Sequence, residues 1–152
     1  MTAYLAALKM LARRELSEAQ VRQRLARGGY QPDEIDLAVA RLRDERAIDD
    51  ARAAEAIART QTAVRGRGKL RVQREIQAAG VGRAEAQRAV DEVFRDIDSD
   101  ALLEAALARR LRGRERIADD REFQRLFRYL ASQGFHADKI LNALNRRRRE
   151  SS

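Results

Sequence analysis

The chain carries one pattern of apolar residues and glycines three times, and the copies are offset by 51 and then by 54 residues. Each copy has two apolar positions, then a glycine followed by an apolar residue, then two more apolar positions. A pattern that recurs at this interval is typical of a fold built from stacked units of similar structure. The equivalent positions are Val21, Val72 and Leu126; Leu25, Ile76 and Leu130; Gly29-Tyr30, Gly80-Val81 and Gly134-Phe135; Ile35, Ala86 and Ile140; and Val39, Val90 and Leu144.

The first copy contains the start and stop signals of three helices. A first helix is expected from just after Thr2 to about Arg14. A capping box over residues 17–20 starts a second helix, and Gly28-Gly29 ends it because glycine adopts a left-handed C-cap easily. Pro32 opens a third helix, since the first helical position needs no backbone N–H. The residues expected to face the core from the first helix are Leu5, Leu8, Leu11 and Ala12.

The composition agrees with helices throughout. Ala, Leu, Arg and Glu dominate, and aromatic residues make up only 5% of the chain, so residues that favour strands are sparse. The predicted fold is all-α, with three tandem three-helix repeats spanning residues 1–49, 50–98 and 99–152. Nine helices in line form an elongated rod, straight or curved, on the order of 60 to 70 Å long.

The junctions between repeats carry helix caps in place of flexible linkers. They read Ile48-Asp49-Asp50 and Ile97-Asp98-Ser99-Asp100, and neither is rich in Gly or Pro. Aspartate at such a position caps the next helix. Because a unit of about 50 residues buries little apolar area alone, we expect adjoining repeats that share apolar surface.

Several classes of function are disfavoured by the residue content. The chain has no cysteine and one histidine, which leaves little for a thiolate metal site or a catalytic histidine pair. The acidic pairs Asp49-Asp50 and Asp119-Asp120 are expected to cap helices, and His136 to start the last helix. We therefore expect no catalytic residue, no metal and no cofactor. With no apolar run of about 20 residues and no signal-peptide pattern, the expectation is a cytoplasmic protein without a membrane partner.

Positive charge increases along the chain. The net charge is +8, and Lys and Arg outnumber Asp and Glu by 9 to 8, 10 to 8 and 13 to 8 in the three successive repeats. An excess of this sign favours acidic partners such as nucleic acid or an acidic protein surface.

A basic segment near the middle of the chain, from Arg65 to Arg74, holds five basic residues and no acidic residue. A helix is expected to begin near Gly68 and to bury Leu70, Val72 and Ile76. The cations of the following helix would then face water. The candidate binding residues of this segment are Arg65, Arg67, Lys69, Arg71 and Arg74.

The repeats supply an internal comparison for these cations. Lys69, Arg71 and Arg74 are equivalent to Glu18, Gln20 and Gln23 in the first copy and to Phe123, Arg125 and Arg128 in the third. The fold thus accepts uncharged side chains there, which favours binding over a merely solvated helix face.

The third repeat supplies the remaining candidates. Alignment of Leu11-Ala12-Arg13 with Ile57-Ala58-Arg59 and Leu107-Ala108-Arg109 places extra residues in loops at 60–68 and 112–119. The second loop and the helix before it are basic, although cations near a helix C-terminus also satisfy its dipole. The same explanation is favoured for residues 146–149. The candidates are Arg109, Arg110, Arg112, Arg114, Arg125 and Arg128.

In their order, these features resemble the RecX family, which regulates the bacterial recombinase RecA. The resemblance rests on the three helical triplets, the segment Leu11 to Val21, the Ile48-Asp49-Asp50 junction, residues 65–80 and the closing stretch Phe123 to Phe135. It covers nearly the whole chain. One departure is that Arg52 is followed by Ala53, where the family usually has phenylalanine.

The resemblance implies a regulator without catalysis. Such a protein associates with the RecA filament on DNA and lowers its ATPase, strand-exchange and coprotease activities. We further expect a monomer whose contact with single-stranded DNA is weak and non-specific. The alternative from the residues alone is a helical DNA-binding module that contacts phosphates without a filament partner.

Overall fold

The computed structural model describes residues 1–148, and nine α-helices account for most of them. Their bounds are α1 Ala3–Arg13, α2 Glu18–Arg27, α3 Pro32–Asp44, α4 Asp50–Arg59, α5 Lys69–Ala78, α6 Arg83–Phe94, α7 Ser99–Leu111, α8 Asp120–Ser132 and α9 Ala137–Arg146. Helix α4 continues into one π-helical turn, Thr60–Val64, so the first insertion is partly helical. Across these residues the β-type pairing consists of one isolated bridge, Ile117 with Arg148. The prediction of an all-α fold of three-helix repeats is confirmed.

The helix signals in the first repeat act as expected. The Thr2 hydroxyl accepts from the backbone N–H of Leu5 at 3.2 Å, and Ser17 and Gln20 form the complete capping box of α2. Gly29 takes the left-handed conformation with φ +90°. Of the residues expected to face the core from α1, Leu8 and Leu11 pack against it. Leu5 is 50% exposed, however, and the small residues Ala3 and Ala7 are buried in its place. Alanine lets α1 lie close to its neighbours.

The repeated apolar positions form the cores. Every one of them is buried except Tyr30, which is half-buried. The buried side chains make three clusters, one for each sequence repeat, and Leu102 packs against both the second and the third. Ala53, at the departure from the family pattern, is fully buried. The domain boundaries proposed from the sequence stay a prediction.

The repeats join through one contact that occurs twice. At the first junction the Ser17 hydroxyl donates to the carbonyl of Ala79. At the second, the backbone N–H of Gly68, the residue equivalent to Ser17, donates to the carbonyl of Gln133 at 2.9 Å. In both, the start of the second helix of one repeat meets the glycine that ends the second helix of the next.

Polar side chains complete the junctions. Arg52 donates from Nε to Glu15 at 2.6 Å, and the Asp50 carboxylate accepts from the backbone N–H of Glu18 at 2.8 Å. Hydrogen bonds and ion pairs therefore reinforce the junctions, and Leu102 supplies apolar surface shared between the second and third repeats, as expected.

The stack of repeats exposes more surface than a compact protein of the same mass. It exposes 9759 Å², whereas a compact monomer of 17.3 kDa exposes about 7,800 Å². The excess agrees with an elongated arrangement of three small cores. Within the described range of 1–148, none of the helices is long and apolar enough to cross a membrane.

Candidate binding surface

Two candidate cations near the start of α5 have partners inside the fold. The Arg67 side chain is only 18% exposed and donates to Oε1 of Gln61 at 3.0 Å. Arg71 donates from Nε to Glu75 at 2.7 Å and from Nη1 to the carbonyl of Ser132 at 3.0 Å. The expectation that Arg71 faces water is wrong, because it bridges the second and third repeats.

Arg114 is also held within its own repeat. Its guanidinium donates to both carboxylate oxygens of Glu122, at 3.0 and 2.6 Å. This bond and the backbone N–H of Ala118 hold the pKa of Glu122 down at about 2, with a smaller contribution from the charge of Arg125. The same bond to Glu122 raises the pKa of Arg114. Arg114 therefore fixes the loop before α8.

We expect Glu122→Gln to lower the free energy of unfolding by about 1 to 2 kcal/mol at neutral pH, since water screens part of the ion pair. A carboxyl with a lowered folded-state pKa stabilises fully above its unfolded value near 4.5 and loses that contribution as the pH falls toward about 2. Urea unfolding of both proteins across this range should show the difference shrinking with acid. Glu115→Gln, in the same loop, is the control, and an equal loss there would contradict the assignment.

Arg14 and Arg65 begin a cationic surface on one side of the stack. Both line a cleft between the first and second repeats, together with the polar side chains of Gln20, Thr60 and Gln61 and with Glu15, whose carboxylate is bound by Arg52. The π-helical turn after α4 forms one wall of this cleft. Arginines from two different repeats therefore line the same cleft.

The surface continues into the third repeat. A side chain at the position of Gly66 would place its Cβ 2.9 Å from Nη2 of Arg109, so the loop after Arg65 reaches the end of α7. The neighbouring Arg110 guanidinium lies 3.6 Å from the ring centre of Tyr129. Arg110 and Arg125 line one cavity beside that ring, together with Glu122, whose carboxylate is bound by Arg114. We call this surface the cationic seam, and it consists of Arg14, Arg65, Arg109, Arg110 and Arg125.

The seam arginines are available to a ligand. Among residues 1–148, none of the five has a carboxylate within ion-pair distance. A row of unpaired guanidinium groups attracts a polyanion and suits the bidentate recognition of phosphate or carboxylate. The tyrosine under Arg110 restricts that side chain without neutralising its charge.

The remaining candidates lie apart from the seam. Lys69 is 5.6 Å from the ring centre of Phe94 and lines a cavity of about 150 Å³ with Lys139. Arg74 and Arg112 are exposed. Arg128 lines a groove between α8 and α9. Leu70, expected to be buried, is 45% exposed, although its backbone N–H donates to the carbonyl of Gly134 at 3.0 Å.

Arg14 was not among the binding residues predicted from the sequence. The signal was present, because the alignment of the first helices places Arg14 opposite Arg110. Comparing the charged residues repeat by repeat finds it, whereas a search for dense basic runs does not.

The other charged motifs have roles in the fold. The Asp49 and Asp119 side chains cap α4 and α8, and His136 is the N-cap residue of α9 without a side-chain cap bond. Arg146 and Arg147 both bind Glu104 at 3.2 Å, which ties the last helix to α7; residue 149 of that run lies outside the described residues. Residues 1–148 contain no cluster of His, Cys, Asp and Glu suited to a metal ion.

The fold and the seam define a modular helical protein with one cationic side, and comparison with known proteins assigns the family. Residues 3–42 match the family model for the first three-helix domain of RecX. The regulatory protein RecX of Halorhodospira halophila is 36% identical over 136 residues, which cover 89% of this chain and 81% of that protein.

Two further comparisons agree. The regulatory protein RecX of Chromohalobacter salexigens is 35% identical over 144 residues, covering 91% of this chain and 88% of that protein. The crystal structure of RecX from Lactobacillus salivarius matches with a TM-score of 0.71 and 21% identity, over 94% of this chain and 92% of that one. The chain belongs to the RecX family, and its relatives are named regulatory proteins.

Proposed function

We propose that this protein binds the RecA recombinase filament on DNA and inhibits its recombinase, ATPase and coprotease activities. It thereby modulates DNA repair, recombination and the SOS response. It acts as a cytoplasmic monomer without a cofactor and without catalysis of its own. Its contact with free single-stranded DNA is weak and non-specific.

The cationic seam is the observation that carries this proposal. Its five arginines come from all three repeats, with Arg14 in the first, Arg65 in the second and Arg109 in the third. A long surface with an excess of positive charge can contact several successive sites on a polymer, or follow a phosphate backbone, where a compact protein touches one. Membership of the RecX family supports the proposal that this polymer is the RecA filament.

A DNA-binding module without a filament partner is the second candidate. The observation that favours it is the absence of carboxylate partners for the seam within residues 1–148, since unpaired guanidinium groups suit phosphates. Against this candidate, Gln20 and Arg22 at the start of α2 are engaged within the fold, in the capping box and in ion pairs with Glu18 and Asp36, whereas base reading needs such side chains free.

Hydrolysis of ATP by the cognate recombinase on single-stranded DNA separates the two candidates. The protein is added below one copy per recombinase subunit, at concentrations where it leaves the bare DNA unbound. Inhibition with filament disassembly is expected under the proposal. No effect under these conditions would leave only DNA binding as an explanation of the seam.

A further inference from the structure

An apolar groove lies between α8 and α9, apart from the cationic seam. Phe123 and Phe127 form one side and Leu141 the other. Leu141 is 42% exposed, and both phenylalanines are half-buried. Gln124 and Arg128 complete the lining.

The other two repeats show that the fold does not require apolar residues here. At the position of Phe127, repeat 1 has an arginine and repeat 2 a glutamine; at the position of Leu141 they have an aspartate and a glutamine. In repeat 1 the two side chains form an ion pair of 2.7 Å. The groove residues Phe123, Phe127 and Leu141 thus correspond to Glu18, Arg22 and Asp36 in repeat 1 and to Lys69, Gln73 and Gln87 in repeat 2.

The groove also adjoins a position that contacts the following repeat in repeats 1 and 2. Gln124 is equivalent to Ala19, which meets Gly80 of the following repeat, and to Leu70, whose N–H donates to Gly134. Gln124 is exposed. Apolar side chains at the open end of a repeat stack are unusual, because terminal repeats normally present a polar outer face.

A second copy of the chain cannot extend the stack by the same contact. Ser17 and Gly68 donate to the following repeat, and their equivalent is Glu122. Its carboxylate is bound by Arg114, and its N–H donates to Asp119 at 2.8 Å. The donor that joins repeats is therefore occupied in repeat 3.

The chemistry of the groove favours a protein segment over nucleobases. The Arg148 guanidinium lies 4.2 Å from the ring centre of Phe123, so that ring face is covered, whereas base stacking needs an open one. Leu141 offers aliphatic contacts. Arg128 has no ion pair with the described residues, and with Arg148 it flanks the apolar surface with positive charge.

We propose that the α8–α9 groove docks a protein segment that presents apolar side chains and carboxylates. The proposal rests on the proposed function, in that the segment belongs to the recombinase. Apolar anchors in a pocket with a charged rim are the arrangement in which a few residues supply most of the binding energy. The groove then holds the protein partner, while the seam is free for phosphates.

The test uses the full chain with Phe127→Gln and Leu141→Gln together, which copies the glutamines of repeat 2. Binding is measured by fluorescence anisotropy to recombinase filament preassembled on a single-stranded oligonucleotide, and separately to the oligonucleotide alone. We expect filament affinity to fall about tenfold or more, and oligonucleotide affinity to change by less than about twofold. The control is Leu5→Gln with Leu37→Gln, at two leucines that are 50% and 75% exposed in repeat 1.

Each outcome of these measurements identifies what the α8–α9 groove binds, or shows that it does not bind the filament. Circular dichroism first verifies that the variant is folded. If the wild-type chain does not bind the filament, both the proposed function and the groove proposal are overturned. If wild type and variant bind the filament equally, the groove proposal alone is overturned. Loss of oligonucleotide binding would make the groove a nucleic-acid site, and a concentration-dependent dimer of the wild type that the variant abolishes would make it a contact between copies.

Discussion

Gly134→Ala is expected to lower the free energy of unfolding by at least about 3 kcal/mol. Gly134 has φ +99°, which costs a residue with a Cβ about 1 kcal/mol or more. The added methyl group would also overlap the backbone nitrogen and Cβ of Arg71 and lie 2.8 Å from its Cα. Backbone atoms cannot rotate away, so the contact between the second and third repeats must open.

Gly29→Ala provides the matched control for this prediction. Gly29 is the equivalent glycine in repeat 1, with φ +90°, and a Cβ there meets no atom within 4 Å. It carries the backbone cost alone, so a loss of about 1 kcal/mol is expected. Urea unfolding of both variants measures the difference. Equal losses would show that Gly134 is not a close contact between repeats.

Reversal of the seam charges should cause the largest loss of function. In a variant with Arg65→Glu, Arg109→Glu and Arg110→Glu, we expect the concentration for half-maximal inhibition of the recombinase ATPase to rise about tenfold or more. Each reversed cation removes an attraction and adds a repulsion. If the seam binds phosphates, the slope of log affinity against log salt should also fall by about 0.7 for each phosphate that the variant no longer neutralises.

The control reverses three arginines outside the seam, Arg24→Glu, Arg83→Glu and Arg88→Glu, which changes the net charge by the same amount. These arginines are exposed, and inhibition should change little. Arg71 is left unchanged in both variants, because its bond to Ser132 makes any loss of binding inseparable from loss of the junction. Equal losses of inhibition in the two variants would show that net charge, and not the position of the seam arginines, causes the inhibition.

The helices and their buried positions could be predicted from the sequence because the signals are local. Residues such as Val21, Val72 and Leu126 recur where each second helix faces its core, and all three are buried. Caps act over three residues, so Ser17 and Asp49 are recognised without knowledge of the tertiary structure.

The exposure of single side chains was harder to predict from the sequence, since it depends on how closely neighbouring helices approach each other. Leu5 looks like a core residue but is exposed, because the contact of α1 uses Ala3 and Ala7. Apolar residues are common on protein surfaces, so helical spacing alone cannot decide which of two adjacent faces is buried.

The binding surface could be predicted only in part. A basic segment shows where the charges are, but not which have partners inside the fold. Arg71 binds a carbonyl 61 residues away. The seam depends on the approach of Gly66 to Arg109, which no local pattern encodes. Comparison of equivalent positions between the repeats predicts more of the binding surface than local patterns do. It aligns Arg14 with Arg110, and it shows that the apolar residues of the α8–α9 groove are specific to repeat 3.

The most direct test of the seam as the contact surface uses the absence of cysteine from the chain. A photoreactive benzophenone maleimide is attached to an Ala63→Cys variant, beside the seam, or to an Ala84→Cys variant on α6; both alanines are exposed. After illumination with the recombinase filament on single-stranded DNA, cross-links to recombinase or DNA are predicted from position 63 and not from position 84. Cross-links from position 84 with none from position 63 would contradict the account.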